Sequence, residues 1–391
     1  MQQADVVIVG GGLAGLSLAV SLADSSVKVV VVDEKMPYQA VSQTPGVRVS
    51  AINQASEELF RELGIWQHLD EKRVQPYTHM QVWEQDSFAS IEFDHQSVCQ
   101  SHLGHIIENQ LLINALWEKL LEASNIQIEV SSAIEALKVE DERALVRLAN
   151  GQQLAAKLVV GADGIHSKIR TLSAMPLSFS DYQQSAIVAN VQTELVHQQC
   201  ARQVFTPYGP LAFLPMTDPH LCSIVWSVEN KQADELMVQS PGQFAKALYR
   251  AFDGKLGLCE LVSERKMFPL TMRYARQWLK HRVVLAGDAA HSIHPLAGQG
   301  ANLGLMDVRL LSEVLLDLTE AGKDIGTVSS LRVYERTRKA EAVKMIAAMQ
   351  GFRSLFAGSN PMKKALRGMG LSLANKMPLA KRRMMLQAAG L

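Results

Sequence analysis

Closely spaced cysteines are missing from this sequence. Cys99, Cys200, Cys222 and Cys259 stand far apart and never in C-x-x-C spacing, which argues against a disulfide framework or a zinc site and for a reducing, cytoplasmic setting. No apolar run approaches the roughly 18–20 residues a spanning helix needs, and no basic segment precedes the first apolar stretch as in a secretory signal. Any membrane contact is therefore expected from the surface. An excess of either charge is also lacking: Lys plus Arg and Asp plus Glu number 39 each, so nothing global favours nucleic acid as a partner. Internal repeats and low-complexity tracts are absent too. What remains is a chain of 391 residues, 48% hydrophobic and 20% charged, long enough for two or three well-packed domains.

The first seventy residues carry the clearest signal. "DVVIVGGGLAGLSLAVSLADSSVKVVVVDEK" reads as an apolar strand over 6–9, then Gly10-x-Gly12-x-x-Gly15, a helical run, and a second strand over 29–32 that ends on Asp33. Each glycine has a mechanical task. The first makes the tight turn, the second lets backbone amides approach a pyrophosphate, and the third lets helix pack on strand. The phosphates are expected at the helix N-terminus, where free N–H groups and the dipole favour an anion. Asp33 lies 21 positions beyond Gly12, where a carboxylate accepts hydrogen bonds from the adenosine ribose. The glycines alone are weak evidence; strand, glycines, helix, strand and acid in register predict a dinucleotide site.

Nicotinamide and flavin dinucleotides share this half, so the other half must be read further along. "AAKLVVGADGIHSKIR" (155–170) is a strand running into Gly161-Ala162-Asp163-Gly164, and "HRVVLAGDAAHSIHPLAGQGANLGLMD" (281–307) is a strand running into Gly287-Asp288. Acids and glycine turns at carboxyl ends of strands are where a doubly wound sheet presents ligand groups. Taken singly, each also fits an ordinary Asp-Gly turn.

The order GxGxxG, GADGxxSxxR, GDAAHxxxPxxGQGxNxG resembles that of the flavin aromatic hydroxylases built like para-hydroxybenzoate hydroxylase, and it spans nearly the whole chain. The resemblance implies FAD, with Asp288 at the ribityl chain, the Asp163-Gly164 turn where pyrophosphate and ribityl meet, and Arg48 and Asn109 in contact with the cofactor. It further implies NAD(P)H as a transiently docked reductant, since no second GxGxxG appears, and O2 as co-substrate. The intervening segments "VRVSAINQASEELFRELGIW" (47–66), "SHLGHIIEN" (101–109), "LAFLPMTDPHLCSIVWS" (211–227) and "FPLTMRYARQ" (268–277) are similar to the ubiquinone-biosynthesis hydroxylases, the UbiH, UbiF and UbiI branches. They look most like the UbiI branch, which hydroxylates a polyprenylphenol ring at C5. One departure is "GIHS" at 164–167, where relatives more often read "GANS"; His166 stands beside the turn.

The expected architecture is α/β: a Rossmann-like FAD-binding domain of the para-hydroxybenzoate hydroxylase type, with an inserted antiparallel-sheet substrate domain and C-terminal helices. The motifs place the discontinuous FAD-binding domain at 1–75, 103–178 and 270–340, and the alternating segments 76–102 and 179–269 in the substrate sheet. A pocket is expected where the sheet crosses the flavin edge, with Phe205, Phe213, Leu214, Pro215, Trp226 and Phe268 as wall or core residues. Reduced flavin and the hydroperoxide it forms need a dry site with donors near the ring. Gly298, Gln299 and Gly300 can bring amides close, the helix is expected over 301–310, Asn302 can add a hydrogen bond, and Pro295 would shape the wall.

His291 and His294 admit three readings: a structural histidine bonded to a loop carbonyl, a group that positions substrate or tunes the flavin, or a base that deprotonates the phenol. A metal is not expected there, for want of a third ligand. After Glu341 the chain has no acidic residue, while Lys344, Arg353, Lys363, Lys364, Arg367, Lys376, Lys381, Arg382 and Arg383 give nine positive charges. Residues 341–391 thus read as basic amphipathic helices, either packed and solvated or in contact with an anionic membrane or a biosynthetic complex; a homo-oligomer is also open. Three functions stay in play: a monooxygenase acting on a polyprenylphenol, another flavin enzyme on the same scaffold such as a prenyl-lipid reductase, and a non-catalytic FAD-binding scaffold. A halogenase is disfavoured because the WxWxIP segment is absent.

Overall fold

A computed structural model of the chain describes residues 1–85, 90–292, 299–356 and 377–390. Strands and helices are numbered in chain order. The first sheet is built on β1 (Gln2–Val9), β2 (Val29–Asp33), β8 (Ile126–Val130), β11 (Gln153–Gly161) and β19 (Val283–Leu285), mutually parallel in the order β19-β11-β1-β2-β8. β18 (Leu279–Lys280) closes one edge, and the hairpin of β9 (Ile134–Val139) and β10 (Ala144–Leu148) pairs with the first half of β11. Runs such as Val29-Val30-Val31-Val32 are buried throughout. Such unbroken β-branched stretches suit a parallel strand covered on both faces. Helices α1 (Leu13–Ser21), α2 (Gln54–Glu62) and α3 (Asn109–Leu121) belong to this half, and α1 packs against both α3 and the long α7 (Gln299–Glu320).

The second sheet runs β20-β17-β12-β15-β14-β13-β5-β6, with β16 (Cys259–Leu261) on the end of β12. Its members are β5 (His79–Glu84), β6 (Ser90–Asp94), β12 (Leu177–Thr193), β13 (Cys200–Thr206), β14 (Gly209–Pro215), β15 (Leu221–Glu229), β17 (Lys266–Ala275) and β20 (His291–Ser292). All pairs are antiparallel except β13 with β5. Helices α5 (Asn230–Val238) and α6 (Pro241–Ala251) cover its outer face, α6 starting from a Ser240/Gln243 capping box. Between the two large sheets, β3 (Val49–Ile52), β7 (Gly104–Glu108) and β4 (Gln75–Tyr77) make a small antiparallel one.

Two expected boundaries move. The one at 270 falls inside β17, and β20, which leaves the third motif, pairs with β17 through Tyr274 and His291. The antiparallel sheet thus reaches into the segment assigned from sequence to the cofactor domain, because strand pairing extends past the motif that marks the domain. The boundary at 341 lies inside one helix, α8 (Val328–Phe356). Helix α4 (Lys168–Leu172) follows β11, and α9 (Pro378–Ala389) ends the described chain.

Helix α9 is docked. Met385 is buried and accepts from Ser97 Oγ, Asn53 Nδ2 donates to the Ala388 carbonyl, and Lys381 lies over the Phe93 ring. Arg382, Arg383 and Met384 face outward. No helix among the described residues is long and apolar enough to cross a membrane.

Candidate active site

Three parallel strands end side by side. The register pairs Val9 with Gly161 and Gly161 with Leu285, so the segments after β1, β11 and β19 leave one sheet edge at the same level, roughly 5 Å apart per strand. The Gly10 loop, Asp163-Gly164 and Gly287-Asp288 are thereby brought together at the point where strand order reverses between β1 and β11, the ligand crevice of an open α/β sheet. Gly10 (φ +114°) cannot be replaced cheaply, since a Cβ would stand 2.3 Å from the Ala162 carbonyl oxygen. At Gly12, the N-cap of α1, a Cβ would meet nothing within 4 Å. The protein's own packing does not require a glycine there, and the space beside the loop is open to a ligand. Asp33, at the end of β2, accepts from the Gly11 amide at 2.5 Å and the Lys35 amide at 2.8 Å, which fixes the loop's height over the sheet.

Asp163 Oδ2 caps α4 by accepting from the Lys168 and Ile169 amides at 2.6 and 3.1 Å, while its Oδ1 is buried without a protein partner. Arg170, the arginine of the second motif, donates to the carbonyls of Ala289 at 2.7 Å and Ile165 at 2.9 Å and so ties the second motif to the third. Between buried neighbours, Asp288 alone is exposed. Desolvation by the protein packed around this loop raises the Asp288 carboxyl pKa, against the opposing pull of His291 and Arg48. Arg48 is exposed at the start of β3, with its guanidinium carbon 5.4 Å from the Phe268 ring of the second sheet. Its carbonyl accepts from the Asn109 amide at 3.0 Å, and Asn109 Oδ1 accepts from Ser50 at 2.7 Å.

Comparison with known proteins bears on this crevice. The profile of the FAD binding domain family matches residues 3–349. The 3-demethoxyubiquinol 3-hydroxylase of Escherichia coli is 35% identical, covering 100% of this chain and 99% of its own length. The ubiquinone hydroxylase UbiL of Rhodospirillum rubrum is 34% identical, covering 99% and 90%. The chain belongs to the ubiquinone-biosynthesis flavin hydroxylases. The p-nitrophenol 4-monooxygenase PnpA of Pseudomonas putida, at 20% identity and a TM-score of 0.80 over 99% of this chain and 98% of that one, shows the shared fold. The hydroxylase is thus an FAD-dependent monooxygenase of the para-hydroxybenzoate hydroxylase fold, with NAD(P)H and O2 as the co-substrates of its class.

The crevice fits FAD on its own observations: an unpartnered buried carboxylate oxygen at Asp163, open space beside Gly12, and an outward Asp288. Gly10, Gly12, Gly15, Asp33, Asp163, Gly164, Gly287 and Asp288 gather on it, with Arg48, just before β3, and Asn109, at the start of α3, beside it. Helix α7 begins at Gln299, two residues earlier than expected, so Gly300 lies in its first turn with open space beside it. His294, Pro295 and Gly298 lie outside the described residues.

Two expectations are corrected. Asn302 is 2% exposed, and its side chain accepts from the Asn53 amide at 3.1 Å and donates to the Ala51 carbonyl at 2.8 Å. It holds α7 to the small sheet rather than reaching a flavin. His291, 2% exposed, places Nε2 2.6 Å from Asp307 Oδ2 and stacks on Trp278 with centroids 5.0 Å apart. Asp307 is 0% exposed and also receives Arg338 Nε at 2.7 Å and the Gly287 amide at 3.1 Å. His291 therefore belongs to a buried ion network beneath the third motif and is not presented to a substrate; its partner is a helix carboxylate, not a loop carbonyl. Asp307 and Arg338 were missed. The only signal for Asp307 is an acid on the apolar stretch of α7, and Arg338 gives none.

The wall residues divide by strand parity. Leu211, Phe213 and Trp226 share the outer face, where Phe213 stacks on Phe252 at 3.8 Å and Trp226 meets Phe244 under α6. Leu214, one position on, packs instead with Ile106, Val49 and Ala51 of the small sheet, and Phe268 lies against Arg48. Successive side chains alternate faces, so Phe205, Leu214 and Phe268 border the crevice side, whereas Phe213, Pro215 and Trp226 do not. Phe213→Ala is expected to cost about 3–5 kcal/mol in urea unfolding. Phe268→Ala should leave the midpoint nearly unchanged and raise the KM for the aromatic substrate. Equal effects on stability would refute the division. His166 faces Arg273 Nη1 at 3.2 Å, outside the turn.

Proposed function

We propose that this hydroxylase inserts one atom of O2 into the ring of a polyprenylphenol. The second oxygen leaves as water, and NAD(P)H supplies the hydride. The observation that supports this reading most directly is the convergence of the three motifs on one strand-end crevice, facing the apolar inner side of the second sheet across Arg48. Bound FAD supplies oxygen activation. Asp288 would hold its ribityl chain, Asp33 its adenosine ribose, the amides of α1 its pyrophosphate, and those at the start of α7 the ring. Phe205, Leu214 and Phe268 would exclude water from the phenol.

The segments between the motifs favour attack at C5. The E. coli relative, named a 3-hydroxylase, favours a sibling reading at another ring carbon. The outward Arg382, Arg383 and Met384 of α9, in a segment without acids, support a peripheral approach to an anionic membrane that holds the lipid-tailed substrate.

The test uses the FAD-loaded full chain with a polyprenylphenol in anionic vesicles. Expected results are substrate-stimulated NAD(P)H oxidation, one 18O from 18O2 in the product, the new hydroxyl located by mass spectrometry, and co-sedimentation that salt reverses. Saturated prenyl double bonds without 18O would replace the reading with a reductase. Bound FAD with no turnover would leave only a scaffold.

A further inference from the structure

The nucleotide half carries a cluster of ligating side chains that the proposed reaction does not use. Oε2 of Glu57, in the first turn of α2, stands 2.7 Å from Nε2 of His102 and 3.0 Å from Nδ1 of His105. The three offered atoms all lie within 4.8 Å of one another. Glu57 is held in this pose by Arg61, whose Nε donates to Oε1 at 2.9 Å. His105 is 7% exposed, and its Nδ1, although 3.0 Å from Glu57, makes no hydrogen bond of good geometry. The second histidine ring meets it edge-on, with centroids 4.3 Å apart. A cavity of about 440 Å³, lined among others by Trp66, Glu71 and Val74, opens beside His105.

We propose that Glu57, His102 and His105 form a binding site for one divalent ion of the zinc class. Two imidazoles and one carboxylate, with a fourth position free, are a donor set that zinc accepts. Calcium and magnesium prefer sets made of oxygen alone. With metal bonds of about 2.0–2.2 Å, ligand atoms in a tetrahedral site stand roughly 3.3 Å apart. The observed 2.7 and 3.0 Å need about 0.6 and 0.3 Å of opening to reach that spacing. Nδ1 of His105 is a buried nitrogen without a bond, and an ion between the three atoms would satisfy it.

Such an ion would tie α2 to β7. Strand β7 pairs with β3, His105 opposite Ile52 and Glu108 opposite Val49. The clasp would sit about 13 Å along the strand from the Arg48–Asn109 contact, stiffening the small sheet from its far end.

The experiment takes the FAD-loaded full chain, strips it with a chelator, and titrates zinc chloride against a chromophoric competitor, with cobalt(II) as the spectroscopic probe. Expected are one equivalent of zinc bound with a submicromolar Kd and visible cobalt bands of a tetrahedral site. His102→Ala should weaken binding by about 10–100-fold or more. His102 is at the rim of the cluster, so the variant should fold; His105→Asn repeats the test from the buried side. No stoichiometric uptake, or uptake unchanged in both variants, would overturn the proposal.

Discussion

Replacing Asp307 with asparagine is expected to lower the melting temperature by roughly 4–6 °C and to strip flavin from the purified protein. Asp307 is fully buried and receives His291, Arg338 and the Gly287 amide. An amide keeps the shape but removes the charge, leaving a guanidinium that is 8% exposed without its carboxylate. Breaking one side of a buried pair costs about 3–5 kcal/mol, a large part of a stability of about 5–15 kcal/mol. The flavin effect follows from geometry, since the same carboxylate holds the Gly287 amide next to Asp288.

The pH dependence has a definite sign. Burial raises the Asp307 pKa, but His291 and Arg338 outweigh it, so the group titrates below its ordinary range in the folded protein. A depressed carboxyl contributes stability above its unfolded value, about pH 4, and loses it as pH falls through the folded value. Acid unfolding curves should therefore be flatter for Asp307→Asn than for the wild type. A variant that melts within 2 °C of wild type and retains full flavin would show that the network is dispensable.

Gly12→Ala and Gly15→Ala should separate folding from cofactor binding. At Gly15 a Cβ would stand 1.9 Å from the Gly10 carbonyl oxygen, so α1 must move off β1, at about 3 kcal/mol or more. At Gly12 the space is empty and the backbone is extended (φ −81°), so alanine should cost the unliganded protein no more than about 1 kcal/mol. Its methyl would stand where a pyrophosphate must approach. A loss of about 1.4–2.8 kcal/mol of binding is a 10- to 100-fold rise in Kd for FAD. Flavin fluorescence titration and thermal melts on both variants provide the measurements. Unchanged FAD affinity in Gly12→Ala would place the pyrophosphate elsewhere.

Local periodicity and turn chemistry made the cofactor half readable without coordinates. The unbroken valines of β2, the glycines at 10, 12 and 15, and Asp33 are signals carried within thirty residues, because a βαβ unit is a local structure. The same holds for the two later strand ends, whose sequences announce the turn but not the neighbour. That β1, β11 and β19 stand side by side is set by hydrogen-bond register between segments more than a hundred residues apart.

Side-chain roles that depend on distant partners could not be read in this way. For His291 the sequence left structural, substrate-positioning and base readings open until Asp307 and Arg338 closed around it, and Asn302 read as a donor to the cofactor until residues 51–53 claimed both ends of its amide. Phe213 and Leu214 differ by one position in sequence and by a whole sheet face in space; only strand register decides which is core and which borders the crevice. Sequence by itself determined the flavin fold and the chemistry it serves, since those rest on short-range backbone requirements. Tertiary structure alone decided which polar groups are spent on holding the site together, since burial and pairing are properties of the assembled chain.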